Sequence, residues 1–262
     1  MIHIILFIIL IIFFIVQYFF NKNEMFDTSN NNIKFLNKYQ LKNILIQDKD
    51  KYYQSFFKKD FKVRKIENIN DYLKIISNCT CDFNEFEKKK IIRCINKIDS
   101  LIQALKNKDD KFNFIHYDKF LTLPWIFGLV NTKQYENGLP HTRNQYIIFE
   151  RDYLENISEK SLMRTLIHEK VHVYQKTYPK HIQHYLNHHQ FKKIKPRESK
   201  DSIRANPDLD NFIYQDKYFN TYKAVYNLNA KNLEDITYYP NDRQYYEHPF
   251  ERMAIEFEKL ID

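Results

Sequence analysis

The chain of 262 residues has only 2 glycines and 3 cysteines, and these shortages exclude several common designs. No GxGxxG and no P-loop pattern occurs, which argues against glycine-rich loops that hold phosphate groups. The odd set of Cys79, Cys81 and Cys94 does not form a disulfide framework and fits a reducing compartment. The sequence therefore favours neither a phosphate-binding loop nor a disulfide scaffold.

Hydrophobic residues make up 44% and aromatic residues 16% of the chain, which is enough for a sizeable core in one large domain or two small ones. The formal charge is +8, but the lysines are spread along the whole chain. Because no nucleic-acid motif accompanies this charge, we expect no nucleic-acid partner.

Residues 2–20 form an apolar run without Asp, Glu, Lys or Arg. As a helix this run would span roughly 28 Å, close to the hydrocarbon thickness of a bilayer. No basic region precedes it and no small-residue cleavage site follows it, so we predict an uncleaved transmembrane anchor. Lysines follow the run and none precedes it, which places the remainder in the cytosol. Two glycosylation sequons, at Asn78 and Asn156, point weakly the other way.

The chain after the anchor divides into three predicted parts. Residues 21–32 are polar and form a tether, 33–110 show helical periodicity without Pro or Gly, and 111–262 contain the chemistry. Within the last part, runs rich in β-formers predict short strands. These runs lie at 125–127, 146–149, 211–219 and 221–226. We further predict a helix from Ser158 to Lys176 and another from Pro249 to Leu260.

The sequence His168-Glu169-Lys170-Val171-His172 matches the pattern HExxH. Residues i and i+4 project from one face of a helix, so His168 and His172 can hold one zinc ion through their imidazole nitrogens. Glu169 stands next to the first ligand and can act as general base on a zinc-activated water. The apolar residues around the motif supply the dry surroundings that such a site needs.

A catalytic zinc ion needs a third protein ligand. Gln175 and Tyr178 stand where the long metzincin motif would have Gly and His, which excludes that class. The chain instead resembles the gluzincins, in which a Glu on a later helix completes the site in an E-x-x-A-like pattern. That resemblance implies Glu251 as the third ligand, followed one turn later by the small Ala254. Glu247 and His248 are the competing candidates.

The resemblance covers about 115–262 together with the apolar segment. A His141-Thr142 pair, an apolar strand at 146–149 and the HExxH helix with Gln175 recur in this class. With the segment Arg204-x-Asn206-Pro207-Asp208, the arrangement is similar to uncharacterised metallopeptidases predicted for giant DNA viruses.

The gluzincin resemblance also implies how a substrate is held. The strand before the metal helix would bind the peptide backbone along its edge, and this places Tyr146–Phe149 in the cleft. A hydrogen-bond donor should stabilise the tetrahedral oxyanion. The candidates for this catalytic role are His141, Tyr245, Tyr246 and His248.

Two points in the sequence depart from the pattern or compete with it. Ile255 stands where some gluzincins keep a second carboxylate, so the partner of a ligand histidine would be Asp235, Glu256, Glu258 or a backbone carbonyl. A second pair at i and i+4, His184 and His188, offers an alternative metal site, although a polar helix face or flexible lid is the simpler interpretation.

Together these features predict an α+β protein: a mainly helical, zincin-like catalytic domain with a small β-sheet, preceded by a helical region and one amino-terminal transmembrane helix. The predicted function is zinc-dependent hydrolysis of peptide or protein substrates by a single-pass protein of a host or virion membrane, anchored in the bilayer through residues 2–20. The alternatives are a non-catalytic membrane or virion protein that keeps the fold, and a basic membrane-surface binder with a chance HExxH.

Overall fold

A computed structural model describes residues 32–106, 114–240 and 246–262. Residues Lys34–Asp262 form one compact unit. The helices are α1 (Lys38–Gln47), α2 (Lys58–Val63), α3 (Ile69–Cys79), α4 (Glu85–Lys106), α5 (Tyr117–Thr122), α6 (Arg151–Asn156), α7 (Glu159–Thr177), α8 (Pro179–His188) and α9 (Pro249–Glu258). The strands are β1 (Ile33–Phe35), β2 (Thr80–Cys81), β3 (Trp125–Val130), β4 (His141–Arg143), β5 (Tyr146–Glu150), β6 (Lys192–Pro196), β7 (Phe212–Gln215), β8 (Thr221–Tyr226) and β9 (Ile236–Tyr239).

The first sheet has the strand order β1-β3-β5-β4, with β2 paired to β3. Strands β3 and β5 are parallel, and β4 runs antiparallel to β5. Residues Ile147, Ile148 and Phe149 of β5 are fully buried, as expected for a strand covered on both faces. Gly128 in β3 allows α1 to pack closely, since a Cβ there would lie 2.5 Å from Leu41 Cδ1.

The second sheet is antiparallel, in the order β6-β7-β8-β9. Its β8 strand alternates as a one-sided sheet should, with Tyr222, Ala224 and Tyr226 buried and the residues between them partly exposed. The strand pair predicted around 211–226 is confirmed as β7 and β8, joined by the loop 216–220.

The two helices predicted around the site are confirmed. Helix α7 begins directly after Ser158, whose side chain caps it by accepting a hydrogen bond from the Ser161 backbone N–H. Helix α9 has Pro249 in its first turn, and His248 Nδ1 caps it by accepting from the Phe250 N–H. Helix α7 packs against α9, α4, β4 and β5, which makes it the central helix of the fold.

The predicted fold class is wrong in its architecture. The protein is α+β, but its described residues form two sheets and not one, and none of the helices among them is long and apolar enough to cross a membrane. The region 33–110, predicted as helical, also supplies β1 and β2 to the first sheet, because strands this short leave no periodic signal. The anchor predicted at 2–20, and the tether at 21–32 except its last residue, lie outside the described residues.

Candidate metal centre

The two histidines of HExxH face the same point beside α7. His168 Nε2 and His172 Nε2 are 3.1 Å apart. Helix α9 brings Glu251 to them, with Oε2 at 3.2 Å from His168 Nε2 and 3.8 Å from His172 Nε2. Ala254, one turn after Glu251, is fully buried where α9 packs against α7. Among the described residues, this trio is the one group of His, Cys, Asp and Glu that converges as metal ligands would.

These separations fit a metal ion. A point equidistant from the three atoms lies about 2 Å from each of them, which is the Zn–N and Zn–O distance found in proteins. A fourth ligand position is left for water or substrate, as a catalytic site needs.

Hydrogen bonds at the far side of each ring fix which nitrogen faces the centre. His168 Nδ1 lies 2.8 Å from Glu258 Oε2, so Nδ1 carries the hydrogen and donates it to the carboxylate. His172 Nδ1 lies 2.9 Å from Gln175 Oε1, and Gln175 Nε2 donates to the Phe250 carbonyl, which settles the direction of that amide. With both Nδ1 positions donating, the Nε2 lone pairs of the neutral rings point at each other and at a carboxylate. Only a cation or added protons can relieve this arrangement, so the donor set suits a metal.

The third ligand, the Glu251 carboxylate, is oriented by the segment before β7. Asn206 Nδ2 donates to Glu251 Oε1 at 3.1 Å and to Glu247 Oε1 at 2.8 Å. Glu247 is in turn paired with Arg204. Because Asn206 holds Oε1, the other oxygen of Glu251 is left facing the imidazoles.

The pKa values of His168 and Glu251 reflect the close packing of their side chains. Burial works to lower the pKa of His168, but hydrogen bonds to Glu251 and Glu258 outweigh it, and the pKa lies well above its usual value. Burial works to raise the pKa of Glu251, but the two imidazoles hold it well below the usual range. A metal ion would replace the protons that these shifts favour.

Glu169 lies beside the trio, at the wall between α7 and β4. Its Oε2 accepts a hydrogen bond of 2.9 Å from the Thr142 hydroxyl, and the side chain is buried. Burial, reinforced by the nearby Asp208 carboxylate, raises the pKa of Glu169 to about 7. A carboxylate with a pKa near neutrality can both take up and release a proton at physiological pH.

A cavity of about 490 Å³ opens onto His168, Glu169 and Glu251. It is wide enough for a small ligand or a few residues of peptide. Its other walls come from α6, α7, α9, the strands β4 and β9, and three loops, and include His141, Tyr153, Arg204, Asn206, Asp208 and Tyr238.

Of the described residues predicted from the sequence to stabilise the oxyanion, only His141 lines this cavity. Its Nδ1 lies 2.8 Å from the Leu139 carbonyl, so Nδ1 donates and the neutral ring presents a lone pair at Nε2. That Nε2 is buried and has no hydrogen-bond partner among the residues described, and burial lowers the pKa of the ring. A neutral His141 would therefore accept a hydrogen bond from a substrate N–H and would not donate one to an oxyanion.

Tyr245 is outside the described residues. The other candidates, Tyr246, Glu247 and His248, do not line the cavity. His248 caps α9 and contacts Asp210 Oδ1 at 3.0 Å through Nε2. Tyr246 lines a different cavity, with Arg252 and Glu256. Glu247, the competing ligand, is engaged by Arg204 and Asn206.

Of the candidate histidine partners, Glu258 contacts His168, whereas Glu256 is bonded to Tyr185 and Arg252. Gln175 is the hydrogen-bond partner of His172, a role that the HExxH pattern does not predict. Its position three residues after His172 on one helix face was the available signal. No sequence signal pointed to Tyr153 or Tyr238, whose place at the cavity depends on packing alone.

The prediction that the strand Tyr146–Phe149 holds the substrate along its edge is wrong. Residues Tyr146–Phe149 belong to β5, which is paired on both sides, and β4 forms the edge beside α7. That edge is itself engaged: Thr142 N–H donates to Asp208 Oδ1 at 2.6 Å, and the Thr142 carbonyl accepts from Lys176 Nζ at 2.7 Å. Lys176 also binds the Pro207 carbonyl at 2.7 Å, so the chain's own segment covers the edge.

Comparisons with known proteins do not identify the chain: no family model, no curated protein and no solved structure matches it. The gluzincin and viral resemblance therefore stays a prediction, and the case for function depends on the geometry of the site.

Proposed function

We propose that this chain is a zinc-dependent peptidase in which His168, His172 and Glu251 hold the metal and Glu169 is the general base. The observation that carries the proposal is the convergence of two imidazole Nε2 atoms and one carboxylate oxygen at 3.1, 3.2 and 3.8 Å. Structural zinc sites are usually closed by four protein ligands, whereas three ligands beside a cavity are typical of catalysis.

Zinc bound in such a site supplies Lewis acidity and makes water nucleophilic at neutral pH. The protein's own residues would do the remaining work. Glu169, held by the Thr142 hydroxyl, takes the proton of the attacking water and passes it to the leaving amide nitrogen. His141 lines the same cavity, and the lone pair of its buried Nε2 has no hydrogen-bond partner among the described residues.

The test is the pair of wild type and Glu169→Gln, assayed for zinc content and for hydrolysis of a broad peptide library. We expect about one zinc per chain in both proteins and a loss of turnover of roughly 10²–10⁴-fold in the variant, because a positioned base contributes that much. Equal turnover of the two proteins would disprove the proposed role of Glu169.

A second candidate is a non-catalytic protein that keeps the metal centre for stability. The covered edge of β4 favours it, since Asp208 and Lys176 already bind the Thr142 backbone groups that a peptide strand would use. Zinc bound at one equivalent, with no hydrolysis by either protein in the same assay, would support this candidate.

A further inference from the structure

The loop between β7 and β8 presents two aromatic side chains to solvent, and neither takes part in the metal centre. Tyr218 is 71% and Phe219 80% exposed. Folding of the described unit gains little from either side chain, because neither is buried in its core. Neighbouring aromatic side chains exposed at the tip of a hairpin therefore indicate a surface that contacts a membrane or another molecule.

Hydrogen bonds to Asp216 hold the backbone of the loop in the conformation that exposes its aromatic side chains. The Asp216 carboxylate accepts hydrogen bonds from the backbone N–H groups of Tyr218 and Asn220 at 2.8 and 3.0 Å, and from the Tyr222 hydroxyl at 3.2 Å. Phe219 has φ of 67°, in the left-handed region that glycine or asparagine would occupy more easily. A bulky aromatic residue at this position is not explained by the turn geometry.

Lysines outnumber acidic residues in the second sheet and the loop 216–220 taken together. Asp216 is the only acidic residue in β6, β7, the loop 216–220, β8 and β9, and its oxygens are occupied inside the turn. Lys217 is exposed in the loop, and the exposed Lys192 pairs in register with Gln215 at the same end of the sheet. Lys223 is the third residue of β8, and its Nζ lies 5.3 Å from the centre of the Tyr239 ring.

We propose that this aromatic tip, residues 216–220, docks on the surface of an anionic lipid bilayer. Tyr218 and Phe219 would enter the interfacial layer, where aromatic side chains are favoured, and Lys192 and Lys217 would face the anionic headgroups. An exposed aromatic tip suits this partner, because insertion into a lipid interface depends on depth and charge and requires no complementary groove. The proposal is independent of the metal centre.

The experiment uses the full chain with a tryptophan at the tip. Trp125, the single native tryptophan, is only 1% exposed and gives a constant background. The variant Phe219→Trp is mixed with phosphatidylserine-containing vesicles that carry brominated acyl chains, and quenching of its fluorescence is measured. Leu228→Trp is the matched control, since Leu228 is 85% exposed and follows β8 at the opposite end of that strand.

We expect Phe219→Trp to show a blue shift and quenching while Leu228→Trp shows neither. Because residues 2–20 can also hold the chain on a vesicle, the readout is the ratio of quenched to unquenched tip tryptophan at saturating lipid. Replacing Lys192 and Lys217 by Gln should lower this ratio by about fivefold per lysine. Equal behaviour of the two tryptophan variants, or equal quenching on purely zwitterionic vesicles, would overturn the proposal. So would a blue shift that depends on protein concentration without lipid, because that result indicates a second copy of the chain as the partner. Tyr218→Trp repeats the test if Phe219→Trp does not fold.

Discussion

Two histidine pairs with the same spacing have different surroundings in this protein. His168 and His172 on α7 and His184 and His188 on α8 are both separated by one helical turn. The first pair meets a carboxylate from α9 and has a hydrogen-bond partner behind each ring. The second pair is exposed, and among the described residues no acidic group converges on it as a third ligand. Spacing alone therefore makes a pair of ligands possible, and the surrounding helices decide whether a site exists.

The largest expected effect separates the two pairs directly. His172→Ala should remove zinc and hydrolysis together, because it deletes a buried ligand. His188→Ala, the matched change in the exposed pair, should leave both unchanged. Metal content and the rise of Tm on adding zinc measure the difference, since a ligand that binds only the folded state stabilises it. Loss of zinc in His188→Ala would show that His184 and His188 also bind metal.

The next effect tests which carboxylate completes the site. Glu251→Gln should weaken zinc binding strongly, because an amide oxygen is a poorer ligand than a carboxylate that both imidazoles contact. Glu247→Gln, four residues earlier, should weaken it less, since Glu247 acts only through Asn206. Competition with a chromophoric chelator gives both affinities. The reverse ranking would assign the third ligand to Glu247.

A smaller effect concerns the residues behind the rings. Glu258→Gln should reduce zinc affinity by roughly 10–100-fold, as removal of a histidine's outer partner usually does. Glu256→Gln is the control two residues away, because Glu256 binds Tyr185 and Arg252 and not a ligand ring. The same chelator competition applies, and equal affinities for the two variants would contradict the role given to Glu258.

The smallest expected effect is that of Asn206→Ala. It frees Glu251 Oε1 but leaves the ligand oxygen in place, so we expect a decrease in zinc affinity of about tenfold. Asn206→Asp should be worse, because a third acidic group would then face Glu247 and Glu251. Isothermal titration with zinc distinguishes the two variants. A zinc affinity of Asn206→Ala equal to that of the wild type would show that Asn206 does not position Glu251 for metal binding.

Local sequence signals predicted the elements on which the site is built. Ser158 before an apolar helical pattern, and Pro249 in the first turn of a second helix, predicted both helices, because caps and breakers act within a few residues. The HExxH spacing placed His168, Glu169 and His172 on one helix for the same reason.

Longer-range features were predicted less well. The number of sheets, the edge position of β4 and the location of Tyr246 and His248 away from the cavity follow from contacts between residues distant in the chain. His248 is an example, since its ring serves as a helix cap and contacts Asp210, and its neighbourhood in the sequence to Glu251 gave no sign of this.

By itself, the sequence determined a helix with two histidines one turn apart and an acidic residue beside the first, because backbone periodicity is a local property. The tertiary structure alone decided that Glu251 arrives at the two imidazoles and that Glu258 and Gln175 fix their tautomers. It also decided that Pro207 and Asp208, with Lys176, cover the edge of β4. These contacts depend on how α7, α9 and the first sheet pack together. A metal centre needs atoms from several elements within a few ångströms, and only packing can supply that condition.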